Sequence, residues 1–461
     1  MKVLLTAPPS ILELKSNKKI NLEITESRSM PTLAIYQLAS ILREFGHSVT
    51  VLDSRSYNAK FYGEFENKET YEMQFPTLEK KINNVDVVCI SSHSINWFLA
   101  KVITERIKLK DESLPIVVGG VHATTLDEHV LKNSKTDYVV RKEGEKTLPE
   151  LLEAIEKNES FKGILGISYK DNGKVIRNPD GPLLTVSEME NTPFPAFDLM
   201  PSKVYRILNV ESSRGCKFSC TFCGIPFRKV WRGLSPEIVQ KRIEHALDYK
   251  KKLIGNQNWI HFADDTFTAN RKRAEQIILN FSELTDDVGL MFEARADDLL
   301  NSNIIEYCAK IPLRSINIGV ESGYDEGLKK IRKGTTTHNI EKCAQLLKNH
   351  GISEVYYNFI IGFPWETKED CLKTIDFAYR LLSEYGGFIA LFYFLLLPGS
   401  NLWYNRGLYG INVGPEIFDS LYWMSDELKL KTSKLKIEDA IDIKKRVLEY
   451  FASSGQLLAE L

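Results

Sequence analysis

Three cysteines, Cys216, Cys220 and Cys223, stand within eight residues in the segment Ser213-Arg214-Gly215-Cys216-Lys217-Phe218-Ser219-Cys220-Thr221-Phe222-Cys223. Thiolates are soft ligands, and a loop this short can wrap a single iron–sulfur cubane with each thiolate on a different iron. Three donors leave the fourth iron without a protein ligand, and an open coordination position is what a catalytic metal requires. Structural zinc is the competing reading; it usually requires a second Cys-x-x-Cys or a histidine pair at fixed spacing, and neither stands near 216–223. Cys89, Cys308, Cys343 and Cys371 are dispersed through apolar or helical contexts and read as small buried hydrophobes. The opening MKVLLTAPPS lacks the longer apolar core and cleavage site of a signal peptide. With an odd count of 7 cysteines, a disulfide framework is not expected and reducing cytoplasm is.

The elements that must position this loop follow from strand–helix alternation. Residues 2–6, 47–53, 85–91, 115–118 and 137–140 read as strands, and 33–45, 97–109 and 126–133 as helices. This pitch predicts an α/β fold beginning with a doubly wound, Rossmann-like (flavodoxin-like) domain over 1–145. Residues 146–207 read as a linker with a helix, a hairpin turning at Asn172-Gly173, and Pro193, Pro195 and Pro201. Alternation then resumes, with strands at 210–212, 259–262, 290–293, 315–320, 355–361 and 388–397. Six such units predict a partial (β/α)6 barrel over 208–400, with its site at the strand C-termini. Residues 401–461 read as a small helical C-terminal region.

Charge and hydropathy remove other classes. With 60 Lys and Arg against 61 Asp and Glu, the net charge is −1, so no broad footprint for nucleic acid or an anionic membrane is expected. The longest apolar run, 388–397, is half the roughly 20 residues a membrane span needs and reads as a buried strand.

In a doubly wound sheet, ligands bind beyond the carboxyl ends of the strands. The loops there are rich in small residues and hydroxyls: Pro8, Pro9 and Ser10; Ser91, Ser92 and His93; Gly119, Gly120, Val121 and His122; Glu143, Gly144 and Glu145. Small residues admit a ligand close to the backbone. Tight turns of any α/β domain use the same residues. No G-x-G-x-x-G follows the first strand, so a dinucleotide fingerprint is absent.

The C-x-x-x-C-x-x-C pattern, with aromatic Phe222 before its last cysteine and at the first strand-to-helix loop of a barrel, resembles the hallmark of the radical S-adenosylmethionine (SAM) superfamily. The stretches GGVHATTLDEH, EGEKTLPELL, SSRGCKFSCTFC, FADDTFTANRKRA, IGVESGYDEGLKKIRKG, FIIGFPWET and LLLPGS are similar to its subgroup with an N-terminal cobalamin (B12)-binding domain, over about residues 1–400.

The resemblance implies a [4Fe–4S] cluster on Cys216, Cys220 and Cys223, with the SAM amine and carboxylate on the open iron. Phe222 and Gly224 would lie near the adenine. Asp264 and Asp265 stand where relatives have Gly-Gly-Glu; either could take the methionyl ammonium or cap the next helix. Glu293 and Arg295, two apart on a strand, can both point inward to the ribose and carboxylate of SAM, or form a salt bridge. Glu321 and Ser322 occupy the equivalent place on the fourth strand. Gly362 fits the superfamily's fifth-strand pattern, whereas Asn358 replaces its first glycine and the acid falls one residue late, at Glu366.

For cobalamin, the first-strand loop TAPPSILELK has no D-x-H-x-x-G histidine. The cofactor would bind without a protein histidine, or the domain keeps the fold without it. His93 and His122 match no ligand motif and read as hydrogen-bonding loop residues, with cobalamin contact as the alternative. The implied reaction is reductive cleavage of SAM to a 5′-deoxyadenosyl radical, with C-methylation of an unactivated carbon. Rearrangement, cyclisation or dehydration beside an empty B12-like domain is the alternative, and a non-catalytic sensor a third. Methylthiotransferases carry further clustered cysteines in the N-terminal domain, where only Cys89 stands here. Expected partners are a small-molecule or peptide substrate and a reductant such as flavodoxin or ferredoxin.

Overall fold

The computed structural model describes residues 1–9, 30–57, 60–62, 72–201, 205, 207–249, 259–285, 287–420, 425–451 and 455–460. The chain divides into two compact units, one comprising Met1–Ile207, His245–Asn256 and Val413–Leu421, the other Leu208–Glu244, Gln257–Asn412 and Tyr422–Leu461.

The first unit is built on β1 (Lys2–Thr6), flanked in parallel by β2 (Ser48–Leu52) and β5 (Val87–Ser91). A separate antiparallel pair is formed by β3 (Lys60–Tyr62) and β4 (Glu72–Gln74). The main sheet continues in parallel through β6 (Ile116–Gly119) and β7 (Tyr138–Val140). It ends in the antiparallel strands β8 (Ile167–Asp171) and β9 (Lys174–Arg177), in the order 2-1-5-6-7-8-9. Central strands such as VVCI in β5 are apolar throughout, as strands buried on both faces must be. Asn172 (φ 48°) and Gly173 (φ 77°) make the two-residue turn between β8 and β9. The strand order reverses between β1 and β5, and in doubly wound sheets ligands bind beyond the carboxyl ends of the strands at such a point.

The second unit opens with β10 (Ile207–Val210), followed by a two-stranded clip of β11 (Ser213–Arg214) and β12 (Arg232–Gly233). Then come β13 (Trp259–Phe262), β14 (Gly289–Ala294), β15 (Leu313–Glu321), β16 (Val355–Ile361) and β17 (Phe388–Tyr393), and the sheet order is 10-13-14-15-16-17-18. Every pairing from β13 to β18 is parallel. Six barrel strands are present, the first at Ile207–Val210 where 210–212 was expected and the last ending at Tyr393 where 397 was expected, and β18 (Leu457–Glu460) adds a seventh from within the region read as helical. Along β16, Val355, Tyr357, Phe359 and Ile361 are buried while Tyr356, Asn358 and Ile360 are half-buried. Period two thus separates a helix-covered outer face from an inner face. The helices Arg271–Leu284, Thr337–Asn349 and Lys368–Tyr385 bury apolar stripes, in which Cys343 and Cys371 sit as small apolar residues. No helix among the described residues is long and apolar enough to cross a membrane.

Candidate active site

The cysteine loop leaves β10 and is tied down by the acidic pair that follows β13. Asp264 is buried and accepts from Ser212 N (2.8 Å), Ser212 Oγ (2.6 Å), Ser213 N (3.0 Å) and Ser213 Oγ (2.5 Å). Asp265 takes the Gly215 N–H. Of the two carboxylates read as ammonium acceptors, Asp264 is therefore committed to the loop, whereas the Asp265 side chain is exposed. Desolvation, and then the Asp264 charge, push Asp265 up to about 6, which leaves a carboxylate short of positive charge. Gly215 (φ +83°) turns the chain so tightly that a Cβ there would stand 2.0 Å from Val230 O; only glycine fits.

Cys220 is buried, and Cys216 and Cys223 are half-buried. Burial comes first, and the neighbouring Cys220, Asp265 and Cys216 add to it, in pushing the Cys223 thiol up to about 12. Cys223 thus sits in a desolvated place where a free thiolate is costly, and a cationic iron would remove that cost. No group of three or more His, Cys, Asp or Glu among the described residues is close enough to share a single metal ion. Thiols that each bind a different iron need not meet at one point. Cys308, Cys343 and Cys371 are buried in helices and Cys89 lies in β5, so the donor set fits a cubane with one open corner.

The other residues expected at SAM gather around this loop. The Arg295 guanidinium lies 3.8 Å over the Phe218 ring and donates to Lys333 O. Lys333 Nζ in turn donates to Glu321 Oε1 at 2.9 Å. Glu321 sits at φ +72°, at a register shift between β15 and β16, an outlier of the kind that gathers at functional sites. Ser322 is fully buried, its Oγ without a hydrogen-bond partner. Phe222 meets Phe363 (5.9 Å between centroids) beside Gly362, and Gly224 lies under Pro398. Glu366 is fully buried, accepting from Gly362 N (2.7 Å), Phe363 N (3.0 Å) and Tyr324 OH (3.1 Å). Its role is to close the turn after β16; desolvation pushes it up to about 7 against those bonds.

Three residues were missed. His261 Nε2 faces Glu293 Oε2 at 3.0 Å, and its Nδ1 faces Asn209 at 2.9 Å. Asn317 Nδ2 donates to Glu293 Oε1 at 3.4 Å, which completes a polar row across β10, β13, β14 and β15. Lys333 is the third. Strand parity from Ala263 and Glu293 points to His261; Lys333 carries no local signal.

In the first unit, Pro8 and Pro9 are buried, and Asn96 Nδ2 donates to Pro8 O at 3.2 Å; Ser10 lies outside the described residues. Ser91 is half-buried and His93 exposed. Ser92 is fully buried, with N donating to Gly119 O at 2.9 Å. Gly119, Gly120, Val121, Glu143, Gly144 and Glu145 are half-buried, and Glu143 Oε2 accepts from Leu184 N at 2.6 Å. His122 is fully buried between Trp97 (4.8 Å, stacked) and Phe418, with Nδ1 3.1 Å from Ser94 Oγ; burial lowers it to about 3. It is a neutral packed ring. Asp419, from the returning segment, accepts from Trp97 Nε1 at 3.0 Å. Gly120 (φ +92°) lies so close to the neighbouring loop that a Cβ would stand 2.4 Å from Ser92 O. Gly120→Ala is accordingly expected to destabilise this unit by about 1–3 kcal/mol, read by denaturant unfolding, and to lower corrinoid retention after gel filtration.

Comparison with known proteins agrees with both units. A family model described as the radical SAM superfamily matches residues 210–378, and a B12 binding domain model matches 27–152. The chain is 32% identical over 412 residues to the uncharacterized methyltransferase PH0819 of Pyrococcus horikoshii, covering 87% of this chain and 82% of that protein. It is 24% identical to an anaerobic magnesium-protoporphyrin IX monomethyl ester cyclase of Synechocystis, over 76% of this chain and 67% of that protein. Among solved structures, the methyltransferase TsrM of Kitasatospora setae, with cobalamin and a [4Fe–4S] cluster bound, superposes with a TM-score of 0.71 at 16% identity, covering 100% of this chain and 93% of that one. The cobalamin-dependent enzyme OxsB superposes at 0.66 with 23% identity, over 94% of this chain; the chain spans 56% of OxsB's length. At these identities the two superpositions speak for the fold.

Proposed function

Because the chain belongs to the radical SAM superfamily, in its branch with an N-terminal B12-binding domain, we propose that it methylates an unactivated carbon of a small-molecule or peptide substrate. The observation that carries the reading is the loop 213–224, which presents three thiols, one buried and two half-buried, and no fourth at the carboxyl end of the first barrel strand. When bound, the cluster supplies the electron that cleaves SAM and the corrinoid supplies a methyl-carrying metal.

The chain's own residues bind, orient and exclude water. Cys216, Cys220 and Cys223 hold the iron. Asp265, exposed and short of positive charge, accepts the methionyl ammonium. Arg295, Lys333 and Glu321 present two cations and one anion to the carboxylate and ribose hydroxyls of SAM. Phe222 and Phe363 form an apolar wall for the adenine, closed by the turn at Gly362. Glu293, held by His261 and Asn317, faces the inner side of the sheet, where it can orient SAM or substrate. Fixing one C–H bond against the radical is a matter of position, to which such rigid contacts contribute most.

The test is anaerobic reconstitution with iron, sulfide and cobalamin, then quantitation of metal, corrinoid and SAM-derived products. Expected are about four irons, retained corrinoid, and both 5′-deoxyadenosine and S-adenosylhomocysteine. Turnover that needs no corrinoid and releases no S-adenosylhomocysteine would replace methylation by a cyclisation or rearrangement. A reduced cluster that leaves SAM intact sinks the reading.

A further inference from the structure

His93 stands where the strand order of the first unit's sheet reverses, in the loop that follows β5. A doubly wound sheet takes its ligand at that point. Buried Asn96 ties the loops after β1 and β5 together: its Nδ2 donates to Pro8 O at 3.2 Å, and its Oδ1 accepts from His93 N at 2.8 Å. Asn96 N donates to His93 O at 3.1 Å, so the backbone of His93 is held on both sides. The imidazole is therefore carried by a fixed piece of chain.

Of the five histidines in this unit, the other four are engaged elsewhere. His47 Nδ1 faces the N-terminal amine at 3.3 Å, at the amino end of β2. His129 Nε2 faces Asp419 at 3.1 Å, and His245 Nε2 faces Pro195 O at 2.9 Å. His122 is packed between Trp97 and Phe418. Only His93 among the five is exposed. Burial of its surroundings nonetheless lowers its pKa, and a ring that reaches solvent while its neighbours desolvate it lies on the wall of a concavity. At the same end of the sheet, His122 Nε2 is buried without a hydrogen-bond partner, an orphan that an acceptor on a bound ligand would satisfy.

Among the described residues of the loops 7–9, 92–96 and 120–122, no other side chain offers a carboxylate, a thiolate or an exposed imidazole. Resting on the function proposed above, we infer that His93 is the protein's axial ligand to the cobalt of the corrinoid, supplied from the loop after β5 instead of the loop after β1. Imidazole is the commonest side-chain donor to a metal, and its nitrogen suits a transition ion. The lone pair of one ring nitrogen forms the bond to cobalt and displaces water or the corrinoid's own base; no electron is lost and no group is transferred. The opposite face of the metal stays open.

The test is electron paramagnetic resonance of the full-length chain loaded with cobalamin and reduced to the Co(II) state. An axial nitrogen splits each cobalt line into a triplet if it is the common isotope and into a doublet if it is the heavy one. Protein made with heavy-nitrogen histidine and loaded with unlabelled cobalamin should show doublets. In His93→Gly the doublets should vanish while corrinoid is still retained on gel filtration, and heavy-nitrogen imidazole added to that variant should bring them back. Triplets in the labelled wild type would give the position to the corrinoid's own base, and unsplit lines would leave it without nitrogen; either overturns the assignment. Doublets that survive in His93→Gly, or fail to return with imidazole, overturn it too. Wild-type protein that retains no corrinoid instead overturns the cobalamin-dependent function on which the assignment rests.

Discussion

Cys220→Ala is expected to remove the iron–sulfur absorbance and all reductive cleavage of SAM, whereas Cys343→Ala should keep both. Cys220 is 9% exposed in the loop, its Sγ 3.9 Å from Arg332 O, and Thr221 N beside it donates to Ile331 O at 3.0 Å, so the backbone holds this sulfur in place. Alanine leaves two thiols, too few for a cluster with one open iron. Cys343 is just as buried, at 1% exposure, but it lies in the stripe of Thr337–Asn349 with Ile340, Ala344 and Leu347. Its loss removes one sulfur from an apolar contact, an expense of about 1 kcal/mol or less in stability. Iron content and 5′-deoxyadenosine yield, measured under anoxia, separate the two variants. Equal damage from both would contradict the ligand assignment.

Lys333→Met should destabilise the second unit by about 3–5 kcal/mol, the usual result of leaving one member of a buried ion pair alone. The side chains of Lys333 and Glu321 are 8% and 12% exposed, so water screens neither. Glu321 stands at a left-handed φ beside that contact, and Gly319 has no Cβ, which would stand 2.4 Å from Glu321 Oε1 and 2.7 Å from Lys333 Nζ. Pairing the change with Glu321→Gln should return part of the loss, because no bare charge then remains buried. Lys333→Met and Glu321→Gln alone should also weaken SAM binding by calorimetry, since losing the pair frees the backbone at Lys333, whose carbonyl holds the Arg295 guanidinium. Single variants as stable as the wild type in urea would show that the pair is open to water. Full SAM affinity in Lys333→Met would remove the pair from the SAM site.

The protein's local chemistry is legible along the chain, and its cross-chain chemistry is not. The three-thiol spacing, the strand–helix alternation, the Asn172-Gly173 turn and the inward parity of Glu293 and Arg295 depend on residues a few positions apart, where backbone geometry alone sets direction. Tertiary structure decided which partner each side chain meets. Asp264 reads equally as an ammonium acceptor or a helix cap until the fold brings Ser212 and Ser213 across 52 and 51 positions to saturate it. His261 reaches Glu293 only through the register of β13 on β14, and Asp419 returns across 322 positions to Trp97. β18 reads as part of a helical tail because four residues carry too weak a period to outweigh their surroundings, and the open edge of β17 makes them a strand. Spacing along the chain determined which donors exist; strand register and burial determined which remain free to act.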